Sequence, residues 1–414
     1  MISREDSIEV PYGWVVIFAS LALHSIALGA PNVLFVALKP IAADLGSLRS
    51  VPSFAYSLLM IGASVDGVAM GLWMDKRGIV QPVLFGSVMI GLGAVMAAQS
   101  EGRWGLYVAW GLYVANGILI GLLDKVAMIS PLVANATRWF DRRRGLAVAI
   151  IATGQGLAGT IWPPVLQMMN EAVGWRDTYF YFGIFIWASM IPLALLLRYK
   201  SAEAPVDALK NHADDGRILG LAPNLVQVIL CAATVCCCAA MAVPIVHMFS
   251  YGTDLGLSEA GAAKLISYLF VAAFVSRIAF GMLVDRIGAF ATLVIGSACQ
   301  LIMLVVFSVV ESHIGLYVAA VMFGLGFAGI MPCYPSIIRI LFPANQLGWR
   351  VACQYMFAAL GMALGGWMGG AIYDLTGSYA QAFLAGAAFN VVNLMLAALL
   401  LLRRNCHIAM PQTA

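Results

Sequence analysis

Long apolar runs, each about the length of a membrane-crossing helix and each closed by a short polar cluster, recur from one end of this chain to the other. A bilayer core of roughly 30 Å is crossed by about 20 residues of α-helix. Twelve stretches reach that length, at 13–38, 50–74, 80–98, 104–133, 145–170, 178–198, 219–250, 259–283, 289–309, 313–341, 350–373 and 379–403. They are too long and too evenly apolar for the alternating strands of about 10 residues that build a barrel, so each reads as a helix. The pattern predicts an all-α membrane protein with 12 transmembrane helices.

The longest polar segment between spans, YKSAEAPVDALKNHADDGRI at 199–218, follows the sixth run. It predicts an N-terminal six-helix bundle at 1–198, a cytoplasmic linker at 199–218 and a C-terminal six-helix bundle at 219–414. The halves also repeat a signature. GLWMDKRG at 71–78 returns as GMLVDRIG at 281–288, and ATRWFDRRRGLAVA at 136–149 returns more loosely as IIRILFPANQLGWRVA at 337–352. Duplication of this kind marks secondary transporters whose halves rock about a midplane site.

Composition narrows the class further. With 62% hydrophobic and 10% charged residues over 414 positions, and a mean hydropathy of +0.92, no soluble globular domain matches. Of the 23 Lys and Arg, sixteen fall in loops and tails on one side, five on the other, and Lys125 and Arg277 lie inside spans. The sixteen-residue side is expected to be cytoplasmic, which puts both termini in the cytoplasm and the protein in the cell (inner) membrane. The polar, acidic start MISREDSIEV has no basic region or small-residue cleavage site, so the first span reads as retained. A net charge of +3 dispersed over helix ends asks for no nucleic-acid partner; its natural partner is the lipid bilayer. Seven of eight cysteines lie within apolar runs and Cys406 in the tail, which suits packing thiols better than metal ligands. No cofactor, no metal and no obligate protein partner is implied.

Chemistry concentrates at the few polar positions inside spans. Arg277 stands in the middle of LISYLFVAAFVSRIAFGMLV, where insertion scales put the cost of a charge at roughly 2.5–3.5 kcal/mol. Its neighbours at i±3 and i±4 are Phe274, Ala273, Phe280 and Gly281, so an intrahelical salt bridge is excluded. A substrate carboxylate, captured by the planar fork of donors, and an interhelical pair with Asp124 or Asp66 are the two readings. His247 follows Pro244 in AVPIVHMFSYG; it could bind a carboxylate or relay a proton, or sit as an ordinary histidine near a helix end. Asp124 and Lys125 are adjacent in the fourth run and point about 100° apart. Lys125 could therefore add a positive charge to a cavity while Asp124 neutralises it or carries the proton. Tyr334 and Tyr355 are candidates to shape a pocket, with Asn116, Gln155, Tyr113 and Tyr268 behind them.

The paired G-x-x-x-D-[RK]-x-G octapeptides resemble the signature of the major facilitator superfamily, and the resemblance covers nearly the whole chain. It implies the major facilitator fold, with Asp75, Arg77, Asp285 and Arg286 as latches at cytoplasmic helix ends rather than substrate ligands. TRWFDRRRGLAVAI at 137–150, TGQGLAGTIWPPVL at 153–166 and PYGWVV at 11–16 resemble the monocarboxylate transporter and oxalate/formate antiporter group. SRIAFGMLVDRIG keeps that group's eighth-helix arginine as Arg277. Departures matter: Asn32 stands where the eukaryotic members have a lysine, Ala273 where they have an aspartate, and Ala358 where the antiporter has a second cation. The resemblance implies a proton-coupled carrier of small monocarboxylates such as lactate or pyruvate, without an enzyme's chemistry. Arg277 would bind the carboxylate, and His247, Tyr334, Tyr355, Asn116, Lys125 and Asn32 would line the site. Asp124 or His247 would carry the proton. The alternative is an organic-anion exchanger of the oxalate/formate type.

Overall fold

The computed structural model describes residues 10–44, 46–62, 78–99, 153–199, 218–342 and 346–409, with isolated positions between 118 and 151. The chain divides into two compact units, Met1–Asp207 and Ala208–Ala414. Among the described residues nine helical segments are long and apolar enough to cross a membrane. Secondary structure there is helical apart from one isolated bridge between Ile218 and Leu221.

The first unit holds α1 (Pro11–Ala27), α2 (Gly29–Asp44), α3 (Ser50–Gly62), α4 (Val80–Ala98) and α5 (Gly154–Leu195). The sequence predicts one helix over 13–38, yet the ladder opens at Leu28, between α1 and α2. Pro31 has no N–H to give the carbonyl of Ala27, four residues back. The Asn32 Nδ2 donates instead to the Leu28 carbonyl at 2.8 Å. The runs 145–170 and 178–198 correspond to two helical stretches of α5 that meet without an intervening loop at Gly174, whose backbone is non-helical with φ +82°. Only glycine adopts that conformation without strain. At one end of the unit Asp44 accepts from the Trp175 indole at 3.1 Å and pairs with Arg176. The predicted span 104–133 lies almost wholly outside the described residues.

The second unit holds α6 (Pro223–Asp254), α7 (Glu259–Ile287), α8 (Ala289–Val309), α9 (His313–Phe327), α10 (Ile330–Leu341), α11 (Leu347–Thr376) and α12 (Tyr379–Ala409). Here each predicted run has its helix, with one correction. The run 313–341 is broken at Ala328–Gly329, because Pro332 cannot donate to the Ala328 carbonyl, and Phe280 of α7 packs so closely on Gly329 that a Cβ there would overlap its ring. Along α11, Gly361, Gly365 and Gly369 repeat every fourth residue, so they share one face. That face presses on α6: a Cβ at Gly365 would collide with the Ala239 carbonyl, and one at Gly361 would stand 2.5 Å from the Val235 carbonyl. Small residues at this spacing let membrane helices approach backbone to backbone.

The repeat seen in the sequence has a backbone counterpart. Gly78 and Gly288, which close the two copies of the signature, both lie at positive φ, +80° and +85°. Each is followed within two residues by the next spanning helix, α4 or α8. Asp75 and Arg77 fall outside the described residues, as do Asn116, Asp124 and Lys125. Asp285 lies in the last turn of α7, and Arg286 beside it is exposed, a favourable place for a cation at a helix C-terminus.

Candidate functional site

Arg277 is carried by α7, and the rotation of that helix is fixed by its neighbour. Leu269, Ala272, Ser276 and Phe280 fall on one face, spaced by three or four residues, and pack on α9 and the start of α10. Ser276 donates its hydroxyl to the Leu325 carbonyl, where α9 nears its end. Arg277 lies about 100° further round, at the margin between this packed face and the exposed face of Tyr268, Val271, Phe274 and Val275. Its guanidinium is partly buried. Tyr355 of α11 is close enough to interact with it electrostatically.

Tyr355 is 51% exposed, so it stands on an accessible side of the second unit, within electrostatic range of Arg277. An arginine offers two parallel N–H groups to a carboxylate, and a phenol adds a third donor. Ala273, one turn before Arg277, is buried, and its methyl group supplies no charge. Further along α11 the glycine stripe holds this helix against α6.

The other sequence-derived candidates are distributed differently. His247 of α6 is fully buried. Its Nε2 lies 2.8 Å from the Gly366 carbonyl of α11, and its ring packs at 5.2 Å on Tyr379. That places it in the seam between α6, α11 and α12. Tyr334 of α10 is also buried, and its hydroxyl donates to Asn393 Oδ1 at 2.8 Å. Asn393 donates to Ser297 Oγ at 2.9 Å and to Asn390 Oδ1 at 3.1 Å. Tyr334 thus belongs to a polar network inside the unit, since a hydroxyl buried in a bundle takes the nearest fixed acceptor. Ala358 is buried as well. In the first unit Asn32 is buried and its Oδ1 has no partner.

Three features escaped the sequence reading. The asparagine network joins residues far apart in the chain, which no local pattern reveals. The glycine stripe was legible in GMALGGWMGG as a four-residue period. Arg350, counted only among the charges that set topology, is buried at the start of α11.

Two helical units, spanning helices and an arginine inside one of them define a polytopic membrane carrier. The model of the Major Facilitator Superfamily matches residues 17–310 and 228–406, and the chain belongs to that family. It is 24% identical over 403 residues to monocarboxylate transporter 13 of Rattus norvegicus, covering 94% of this chain and 89% of that one. It is 26% identical over 391 residues to monocarboxylate transporter 11 of Homo sapiens, covering 90% and 79%. An MFS-type transporter of Aspergillus niger, pynF, is 23% identical over 370 residues, covering 87% and 81%. Among solved structures, a bacterial homolog of the human lysosomal transporter Spinster aligns with a TM-score of 0.70 at 13% identity, covering 97% of this chain and 99% of that one. The protein is a multi-pass membrane transporter, not an enzyme.

Proposed function

We propose that the protein is a proton-coupled carrier of small monocarboxylates of the lactate or pyruvate kind, working by alternating access in the cell membrane with both termini cytoplasmic. The observation that carries this reading is the cation inside α7, Arg277, with the Tyr355 phenol within electrostatic range of it. Arg277 takes the carboxylate through its fork, Tyr355 donates to one of the same oxygens, and apolar walls select a short organic tail. The names of the relatives, monocarboxylate transporters among them, support the same class. Because a guanidinium stays charged at any physiological pH, an anion that arrives with a proton neutralises the site without changing the arginine. Ligand and proton then need only favour the same intermediate state for the loaded carrier to reorient. Asp124 is the proposed proton carrier. Asp75, Arg77, Asp285 and Arg286 act as latches.

One observation favours the exchanger reading: Ala273 puts a methyl group where an acid one turn from Arg277 would couple a proton. Uptake of labelled lactate into proteoliposomes separates the two. Uptake driven by an inward proton gradient with no internal anion is the expected result, and a strict need for internal carboxylate overturns symport in favour of exchange. In the same assay Asp124→Asn should flatten the pH dependence of uptake; an unchanged profile removes Asp124 from the proton path.

A further inference from the structure

Arg350 has no place in the carboxylate site, yet it is the more demanding of the two buried arginines. It is 2% exposed and stands in the first turn of α11, a helix of 30 residues. Its Nε and Nη2 donate to Gln346 Oε1 at 3.0 and 2.8 Å, and Nη2 reaches Asn224 Oδ1 at 3.4 Å. The guanidinium also lies 3.9 Å from the Phe342 ring and 4.3 Å from the Trp349 ring. These four partners are neutral, and among the described residues the buried Nη1 has none.

The location adds to the imbalance. A helix N-terminus carries partial positive charge and four N–H groups without intrahelical acceptors, so a cation belongs at the opposite end. Gln346 is the N-cap residue but makes no side-chain cap bond, because its carbonyl oxygen is occupied by Arg350. The guanidinium, with one N–H unpartnered, and a first turn whose N-cap side chain makes no cap bond thus belong to the same segment of α11. What they lack in common is an anion.

Directly along the helix pair from this spot runs an apolar groove of about 340 Å³, lined by Gln227, Val228, Cys231, Val235, Cys353 and Phe357 among others. Gln227 joins groove and cation, since its Nε2 donates to the Arg350 carbonyl at 3.2 Å. Its Oε1 is buried and has no partner, an acceptor suited to a headgroup hydroxyl. From Val228 to Val235 the groove follows α6 for two helical turns, about 10 Å, and Val228 at its rim is 62% exposed. The spanning stretch of α11 begins at Trp349, an exposed indole of the kind that marks headgroup depth. Charge at that depth with an apolar channel leading inward is the chemistry of an amphiphile.

We propose that the α6–α11 face binds one acidic phospholipid, its phosphate held by Arg350 and the first turn of α11 and an acyl chain lying in the groove beside Cys231 and Cys353. This site is separate from the Arg277 site and does not depend on what the carrier transports.

Native mass spectrometry of the purified full-length protein, titrated with phosphatidylglycerol, phosphatidylcholine or inorganic phosphate, tests it. The expected result is retention of one phosphatidylglycerol about tenfold more strongly than phosphatidylcholine, with that preference lost in Arg350→Gln. Arg339→Gln, which removes an exposed cation of neighbouring α10, should keep it. Ala232→Phe, which fills the groove and leaves the cation in place, should weaken phosphatidylglycerol as well. Arg350-dependent binding of inorganic phosphate that Ala232→Phe does not touch would reassign the site to a soluble anion and overturn the lipid. Equal phosphatidylglycerol retention by wild type, Arg350→Gln and Ala232→Phe overturns the site altogether.

Discussion

The second unit keeps two arginines out of water, and they solve the same problem in opposite ways. Arg277 sits far from either end of α7, partly buried, with a half-exposed tyrosine as its electrostatic neighbour. Arg350 sits one residue inside the end of a spanning stretch, almost wholly buried, between two aromatic rings and two amides. Depth separates their uses. On the proposed function a travelling substrate supplies the anion at mid-span, whereas at headgroup level the bilayer itself offers one that stays. On the two proposals together, one cation serves a turnover site and the other a standing site.

Removing the fork at Arg277 should break the comparison most visibly. Truncating one side of a hydrogen-bonded charge pair costs about 2–5 kcal/mol, or roughly 30- to several-thousand-fold in affinity. Arg277→Gln should therefore abolish the thermal shift that lactate induces in the purified protein, along with uptake. Arg350→Gln should keep the lactate shift and lose the extra stability conferred by acidic lipid. If both variants lose the lactate shift to the same degree, the division of labour is wrong.

The next effect acts on both sites at once, because α11 carries Tyr355 in its interior and Arg350 at its start. Gly365 lets that helix rest on the α6 backbone. Gly365→Val forces the helices apart, at an overpacking cost of about 1–3 kcal/mol. The melting temperature should fall, and lactate and phosphatidylglycerol binding should weaken together. A variant that loses stability while both affinities stay at wild-type values would show that helix contact does not set the geometry of either site.

How much of this was legible beforehand follows from the range of each interaction. The spans were, because a bilayer demands about 20 apolar residues whatever they touch, and α6 to α12 follow the predicted runs closely. Arg277 was, because a charge in an apolar run stands out without knowledge of its partners. The breaks at Leu28 and Ala328 had a local cause in Pro31 and Pro332, but hydropathy averages over them. The surroundings of Tyr334 were not legible, for a different reason: its acceptor, Asn393, lies 59 residues away, and nothing near Tyr334 in the chain distinguishes a wall from a core. Arg350 looked like one more topology charge, since its burial comes from rings and amides gathered by the fold. His247 shows the same limit, its partner Gly366 being 119 residues distant.

The smallest effect sharpens the comparison between the two tyrosines that sequence could not tell apart. Tyr355→Phe removes one neutral hydroxyl from a half-exposed position, where a net hydrogen bond contributes about 0.5–1.5 kcal/mol. Lactate affinity should drop about two- to twelvefold, with the melting temperature of the ligand-free protein nearly constant, because no buried group is left without a partner. Tyr334→Phe removes the same hydroxyl from a sealed network and strands Asn393 Oδ1, so its loss should appear as about 1–3 kcal/mol of stability with lactate affinity retained. The two substitutions are chemically identical, so any difference in readout measures position alone. If Tyr334→Phe weakens lactate and Tyr355→Phe does not, the carboxylate lies deeper in the bundle than Arg277 and Tyr355 imply.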